Sequence, residues 1–194
     1  MKKLVVSLLA ALCVAAPLFA EDFDEVREVV VKSFKARAKG NLAGALEMIT
    51  SDYRETDSDG DSFNYRQLMW LASALDGKHP EEFFLVFWSV EKNGRIPSDS
   101  EEAEVRRLAR TPEGISRYKE MVPRLIAELK GDAAQALRSL KFVCVKVDDD
   151  TAVVIVKYDS ESKGKLTRKS ETFSLRKIGD EWRIYRSVTR NVDK

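Results

Sequence analysis

Apolar residues recur along this chain with two different periods, and the change falls near residue 140. Downstream, the runs LKFVCVKV, DTAVVIVKYDS, KLTRKSETFSLRKI and EWRIYRSVT are rich in β-branched and aromatic residues. They are separated by Asp148-Asp149-Asp150, by Glu161 to Gly164 and by Gly179-Asp180, which read as turns between strands. Connections this short join only antiparallel neighbours, so residues 140–190 are expected to form a four-strand meander. Such a sheet has to hide one face, and the segments upstream offer helices to cover it. An α+β domain follows, with the helices mostly early and the sheet late.

Upstream, Phe23, Val26, Val30 and Phe34 recur at helical spacing with Val29 beside them, while Glu25, Arg27, Glu28, Lys32 and Lys35 take the other side. Gly40 ends that helix, and Asn41 caps a short second one carrying Leu42, Leu46 and Ile49. Tyr53 and Thr56 precede a polar stretch containing Asp57, Asp59, Gly60 and Asp61, best read as a strand leading into a solvated turn. The aspartates have the first spacing of a calcium loop, but Ser62 stands where its glycine belongs and Leu68 where its bidentate glutamate belongs. Asn64 then caps a third helix with Tyr65, Leu68, Ala72 and Leu75 on one stripe. The run Phe83 to Val90 is apolar on every side; Pro80, Glu81 and Glu82 before it and Asn93-Gly94 after it favour helix over buried strand. Ser100 is expected to cap the next helix and Thr111-Pro112 to start another. In that last helix Pro123 should produce a kink and Gly131-Asp132 a break, leaving a separate short helix from Ala133 to Leu140.

Composition narrows the class. The chain has 194 residues, 44% hydrophobic and 34% charged, enough for one core. Residues 1–20 carry Lys2-Lys3, an uncharged apolar run from Leu4 to Phe19, and Ala20 before Glu21-Asp22. This is the pattern of a cleaved signal peptide, too short for a spanning helix, with a retained anchor as the alternative. The expected domain organisation is therefore a signal over 1–20 and a single domain over 21–194. The expected location is exported, periplasmic or secreted, and not membrane-spanning once the signal is removed. Removal takes Lys2 and Lys3 from 33 basic residues set against 32 acidic, leaving a nearly neutral chain with no basic stripe for nucleic acid. It also takes Cys13, leaving Cys144 unable to close a disulfide within the chain and expected as a buried thiol. His79 is the only histidine, reads as a helix-entry residue, and excludes the usual histidine-rich zinc site. Nothing calls for a cofactor or a metal, and no catalytic motif is visible.

The Lys39-Gly40-Asn41-Leu42 junction, the Ser51-Asp52-Tyr53 turn and the terminal Gly179-Asp180-Glu181-Trp182-Arg183-Ile184 occur in an order that resembles the NTF2-like superfamily, including its SnoaL-like and ketosteroid-isomerase-like branches. The resemblance covers roughly residues 22–75 and 140–190; the helical block at 79–139 departs from the family pattern as an insertion. It implies a strongly curved antiparallel sheet wrapped around a long helix, forming a cone with a pocket. Candidate pocket residues are then Tyr53, Tyr65, Trp70, Trp88 and Arg186, the last because Trp182, Ile184 and Arg186 alternate onto one face of their strand. The expected function is a non-catalytic exported domain binding a small apolar or amphipathic ligand, or an envelope protein partner. The alternative is an isomerase, dehydratase or hydrolase using a buried carboxylate. A homodimer through the Phe83 to Val90 segment or a sheet face is a third reading.

Overall fold

The structure, a computed structural model, describes residues 22–162 and 165–192. The signal segment expected over 1–20 lies outside them, as does the centre of the turn at 163–164. The first helix, α1, covers residues 22–39 and ends at Gly40, which takes φ +74°. Asn41 then caps α2 (Leu42–Leu46), its Oδ1 accepting from the Gly44 amide at 2.9 Å. Ile49 was expected in that helix but begins strand β1 (Ile49–Thr56). The strand returns through the aspartate turn to β2 (Ser62–Asn64). Asp57 Oδ1 accepts the amides of Asp59 and Asp61, each at 2.9 Å, so its carboxylate holds the turn together. Among the described residues no group of three or more His, Cys, Asp or Glu is placed to hold a metal ion.

Asn64 closes a capping box with Gln67 at the start of α3 (Tyr65–Leu75). The apolar run is helical, as α4 (Glu82–Glu91), and is followed by α5 (Asp99–Ala109) and α6 (Pro112–Ser139). Two details differ from expectation. Ser98, not Ser100, caps α5, because it is Ser98 that exchanges hydrogen bonds with Glu101. And α6, with Pro123 inside it, runs on through Gly131 as one 28-residue helix, where a break and a separate short helix were expected. A helical glycine costs only about 1 kcal/mol. Against that, Val122 packs with Ala74 and Phe83, Ala133 and Ala136 are buried beyond the glycine, and Asp132 accepts the Glu161 amide at 3.1 Å. Anchors on both sides hold the helix through its weak point.

The sheet is completed by β3 (Lys141–Asp148), β4 (Thr151–Ser162), β5 (Lys165–Ile178) and β6 (Glu181–Asn191). Strand order is β2-β1-β6-β5-β4-β3, a curved and unclosed sheet. The meander is as expected, but β1 joins it parallel to β6, which makes the sheet mixed. No helix among the described residues is long and apolar enough to cross a membrane.

One face of the sheet is the core. On α1, Val26, Val30 and Phe34 pack against Val154, Val156, Phe173, Leu175, Trp182 and Ile184. Asp22 ties the start of α1 to the sheet, accepting from Lys177 Nζ at 3.0 Å and Trp182 Nε1 at 3.2 Å. Cys144 is exposed, contrary to expectation. Its strand is an edge strand, and a register shift between Phe142 and Cys144 turns the cysteine away from the face that buries Phe142, Val145 and Val147. His79 sits in the turn ahead of α4 with Nδ1 4.0 Å from Glu81 Oε1. Glu81, Glu82 and Glu102 converge on Arg106 and join α4 to α5.

Two glycines of α6 should answer oppositely to alanine. A Cβ at Gly131 meets nothing within 4 Å, so Gly131→Ala is expected to stabilise the protein by about 0.5–1 kcal/mol in urea unfolding. A Cβ at Gly114 would lie 2.5 Å from the Ala109 carbonyl oxygen, so Gly114→Ala is expected to destabilise it.

Candidate functional site

Beyond Phe34 the helices stand off from the sheet and leave a cavity of about 240 Å³. Its apolar lining comes from Leu42, Ala45 and Leu46 of α2, Ile49 of β1, Phe63 of β2, Leu68 and Leu71 of α3, Leu129 of α6, Phe173 of β5 and Ile184 of β6. Four polar residues share it: Ser33 and Arg37 from α1, Tyr53 and Glu55 from β1. Arg37 arrives there by helical spacing, on the stripe of Val30 and Phe34, and its guanidinium lies 4.4 Å from the centre of the Phe34 ring. Tyr53 and Glu55 arrive by strand alternation, two residues apart on the inner face.

These side chains are one end of a buried polar belt. Tyr53 Oη donates to Glu55 Oε2 at 3.1 Å and lies 2.8 Å from Ser187 Oγ. Ser187 in turn bonds Glu171, and Tyr158 Oη donates to Glu171 Oε2 at 2.8 Å. Glu171 is 2% exposed. Burial pushes its carboxyl above the ordinary carboxylate range, against the opposing pull of Arg37. For Arg37 burial works the other way and is outweighed by Glu171 and Glu55, so the guanidinium is held above its ordinary value and stays charged. Burial, with Glu55 beside Tyr53 and Glu171 beside Tyr158, raises both phenols, which therefore act as neutral donors. The belt thus connects a buried acid to a cavity carboxylate through two hydroxyls, beside a permanent cation. Such an arrangement can fix an anionic or acceptor group against Arg37 and Tyr53, and can pass a proton along the belt.

The five residues singled out from sequence go to five places. Only Tyr53 lines this cavity. Tyr65 is half-buried in the first turn of α3 and borders a shallow surface depression with Met69 and Ile178. Trp70 is buried among Leu85, Val86 and Val105 in the helical block, with Arg66 over its ring. Trp88 lines a groove between α4, α5 and α6 beside Phe87, Leu108 and Met121. Arg186 is exposed on the outer face of the sheet. The alternation from Trp182 and Ile184 is interrupted by a register shift that leaves Tyr185 unpaired, so Ser187 takes the inward position and Arg186 points away. The residues that sequence reasoning missed are Arg37, Glu55, Tyr158, Glu171 and Ser187. For Glu171 a signal existed: it shares strand parity with Phe173 and Leu175, an acid on an apolar face.

The raised carboxyl of Glu171 has a consequence for stability. A group that binds its proton more tightly when folded favours the native state fully below its unfolded pKa, here near 4.5, and loses that contribution as pH rises through its folded pKa. Relative to Glu171→Gln, the wild-type urea midpoint is therefore expected to fall as pH is raised from about 4.5. Parallel pH profiles for the two proteins would show that Glu171 titrates normally.

No family model and no curated protein matches the sequence. Solved structures do. An NTF2-like protein with a cystatin-like fold from Novosphingobium aromaticivorans superposes with a TM-score of 0.50 at 15% identity, over 93% of this chain and 88% of that one. An NTF2-like protein from Shewanella baltica gives 0.47 at 12% identity, over 91% and 98% of the two chains. A ketosteroid isomerase-like protein from Erwinia carotovora gives 0.44 at 10%, over 90% and 98%. At such identities the likeness is one of fold alone. The chain has the NTF2-like fold.

Proposed function

We propose that this chain is an exported, non-catalytic domain that binds a small amphipathic molecule in the cavity between the sheet and α1, α2 and α3. The observation that carries this is the lining: ten apolar residues, with Arg37, Tyr53, Glu55 and Ser33 as its polar members. A ligand would lay its apolar body against Leu42, Leu46, Leu68 and Leu71 and set one anionic or acceptor group on Arg37 and Tyr53. The cavity of about 240 Å³ lies just below the ~300–1,000 Å³ typical of drug-sized ligands, which favours a compact molecule. Export rests on the signal pattern of residues 1–20, and an envelope protein partner or a homodimer is compatible with the same cavity.

The enzymatic reading is favoured by one specific feature, the carboxylate of Glu55 facing the cavity next to the Tyr53 hydroxyl. On that reading Glu55 is the base and Tyr53 the donor, and the belt to Glu171 returns the proton.

Native mass spectrometry of protein purified from its own source is expected to show a bound small molecule that dissociates on denaturation. Arg37→Leu should weaken its retention about tenfold or more, the scale of one charge-assisted hydrogen bond, and Leu68→Trp should fill the space and abolish it. A ligand-free protein whose behaviour is unchanged by Leu68→Trp would remove the proposal. Loss of turnover with retained binding in Glu55→Gln would decide for the enzyme. The mature chain isolated from the envelope is expected to begin at Glu21; a chain still carrying Met1 would refute cleavage.

A further inference from the structure

The outer face of the sheet, opposite the cavity, holds a second feature that the reading above does not use. Two strand irregularities meet there. The register shift in β6 leaves Tyr185 unpaired and turns Arg186 outward. A second shift, between Ile49 and Arg54 in the β1–β6 pairing, accompanies an exposed Arg54 next to the buried Tyr53. The result is that Arg54 and Arg186 are direct partners across the two parallel strands. Like charges placed opposite each other in a sheet are destabilising. Among the described residues neither guanidinium has an ion pair or side-chain hydrogen bond to relieve the repulsion. Two carboxylates, Asp52 and Glu55, line the same pocket, and each is bonded to another group. Asp52 accepts from Arg176 Nη2 at 2.6 Å, and Glu55 accepts from Tyr53 on the inner face.

The pair does not stand on an open plain. It borders a pocket of about 420 Å³ whose walls include Ser62 and Asn64 at β2 and the Asn93–Gly94 turn after α4. Asn93 and Gly94 are both left-handed, with φ +55° and +79°, and that tight turn sets the wall close against Ser62, where a Cβ on Gly94 would lie 3.2 Å from the Ser62 carbonyl oxygen. The wall adds amide and hydroxyl donors to the two guanidinium forks. β-Bulges commonly re-aim a side chain beside a functional site, and here one of the two aimed side chains owes its outward direction to a bulge.

We propose that this outer pocket binds a small dianion through Arg54 and Arg186. Two adjacent guanidinium groups call for two negative charges and several oxygens, which a phosphate group or a compact dicarboxylate supplies. Each guanidinium can then donate a bidentate pair, and the repulsion between the arginines becomes attraction to a shared ligand. The outer pocket meets the cavity at Glu55 and Phe63, but Arg54 and Arg186 line only the outer pocket and Arg37 and Tyr53 only the cavity, so substitutions at the two pairs of residues test the two proposals separately.

The test is calorimetric titration at low ionic strength, with inorganic phosphate in one arm and malonate in the other. Wild type is expected to bind at one saturable site. Arg54→Gln and Arg186→Gln should each weaken binding about tenfold or more, the scale of one charge-assisted hydrogen bond. The double lysine variant, which keeps both charges but loses the forks, should also weaken it, whereas Arg190→Gln, on the same face outside the pocket, should bind as wild type. Binding of phosphate alone assigns a phosphate group, of malonate alone a dicarboxylate. In anion-free buffer Arg186→Gln is expected to unfold at the same temperature as wild type or higher, and to lose the rise in melting temperature that the anion gives wild type. Absence of saturable binding in both arms, or glutamine variants that bind as wild type, would overturn the proposal.

Discussion

Phe34 sets the depth at which α1 lies in the curve of the sheet. Its ring meets Tyr158 edge-on at 5.2 Å and Phe173 at 6.1 Å, and both partners project from strands that form the floor. Aromatic pairs of this geometry add about 0.5–1.5 kcal/mol to their area burial, and truncating a buried Phe costs about 3–5 kcal/mol. What matters more is position. Towards its start α1 is seated on the sheet by Val26 and Val30, with Asp22 fastened to Lys177 and Trp182. One turn past Phe34 the stripe presents Arg37, and a guanidinium cannot be packed into an apolar floor as a valine can. The layers part at that point, and the gap they leave is the cavity.

The buried belt is best understood as the counterpart of that charge. Glu171, Glu55, Tyr53 and Tyr158 surround Arg37 with acceptors and hydroxyls, and the price is a carboxyl with 2% exposure whose pKa is driven upward. Replacing buried ionic groups with apolar residues of similar volume often leaves a protein equally or more stable. The core nevertheless keeps Arg37 at the edge of an unfilled apolar space, with Glu171 buried behind it, and this retained charge is what the proposed ligand would use. The helical block at 79–139 contributes little to this region. It builds its own clusters around Leu85 and Phe83, and among its residues Leu129 reaches the cavity. Its other end leaves Phe87, Leu108, Ile115 and Met121 exposed.

The periodic parts of the fold were legible in the sequence: the meander, the amphipathic α1, and the caps at Asn41, Asn64 and Thr111 all follow from local pattern. What escaped depends on relations between distant segments. The parallel docking of β1 beside β6 joins residues far apart in the chain, and no turn announces it. The shifts at Val143 and Tyr185 insert one residue into an otherwise regular alternation, and each reverses the faces beyond it. That single effect moved Cys144 to the surface, took Arg186 out of the interior and brought Ser187 in. Gly131 misled in the opposite sense, because a local helix breaker was overruled by packing on both sides of it. Of the site, Tyr53 was found because an aromatic residue in a strand draws notice; Arg37 and Glu171 looked like ordinary surface charges until their helix and strand phases were compared with Phe34 and Phe173.

The central claim is that the space beside Arg37 is a site and not a packing fault. Its most direct measurement is a crystal structure of the protein purified from its own source. The account predicts continuous non-protein density in the cavity, with a polar end within hydrogen-bond distance of the Arg37 guanidinium and the Tyr53 hydroxyl. A cavity closed by the side chains of Leu46, Leu68 and Leu71, with Arg37 turned out to solvent, would contradict it.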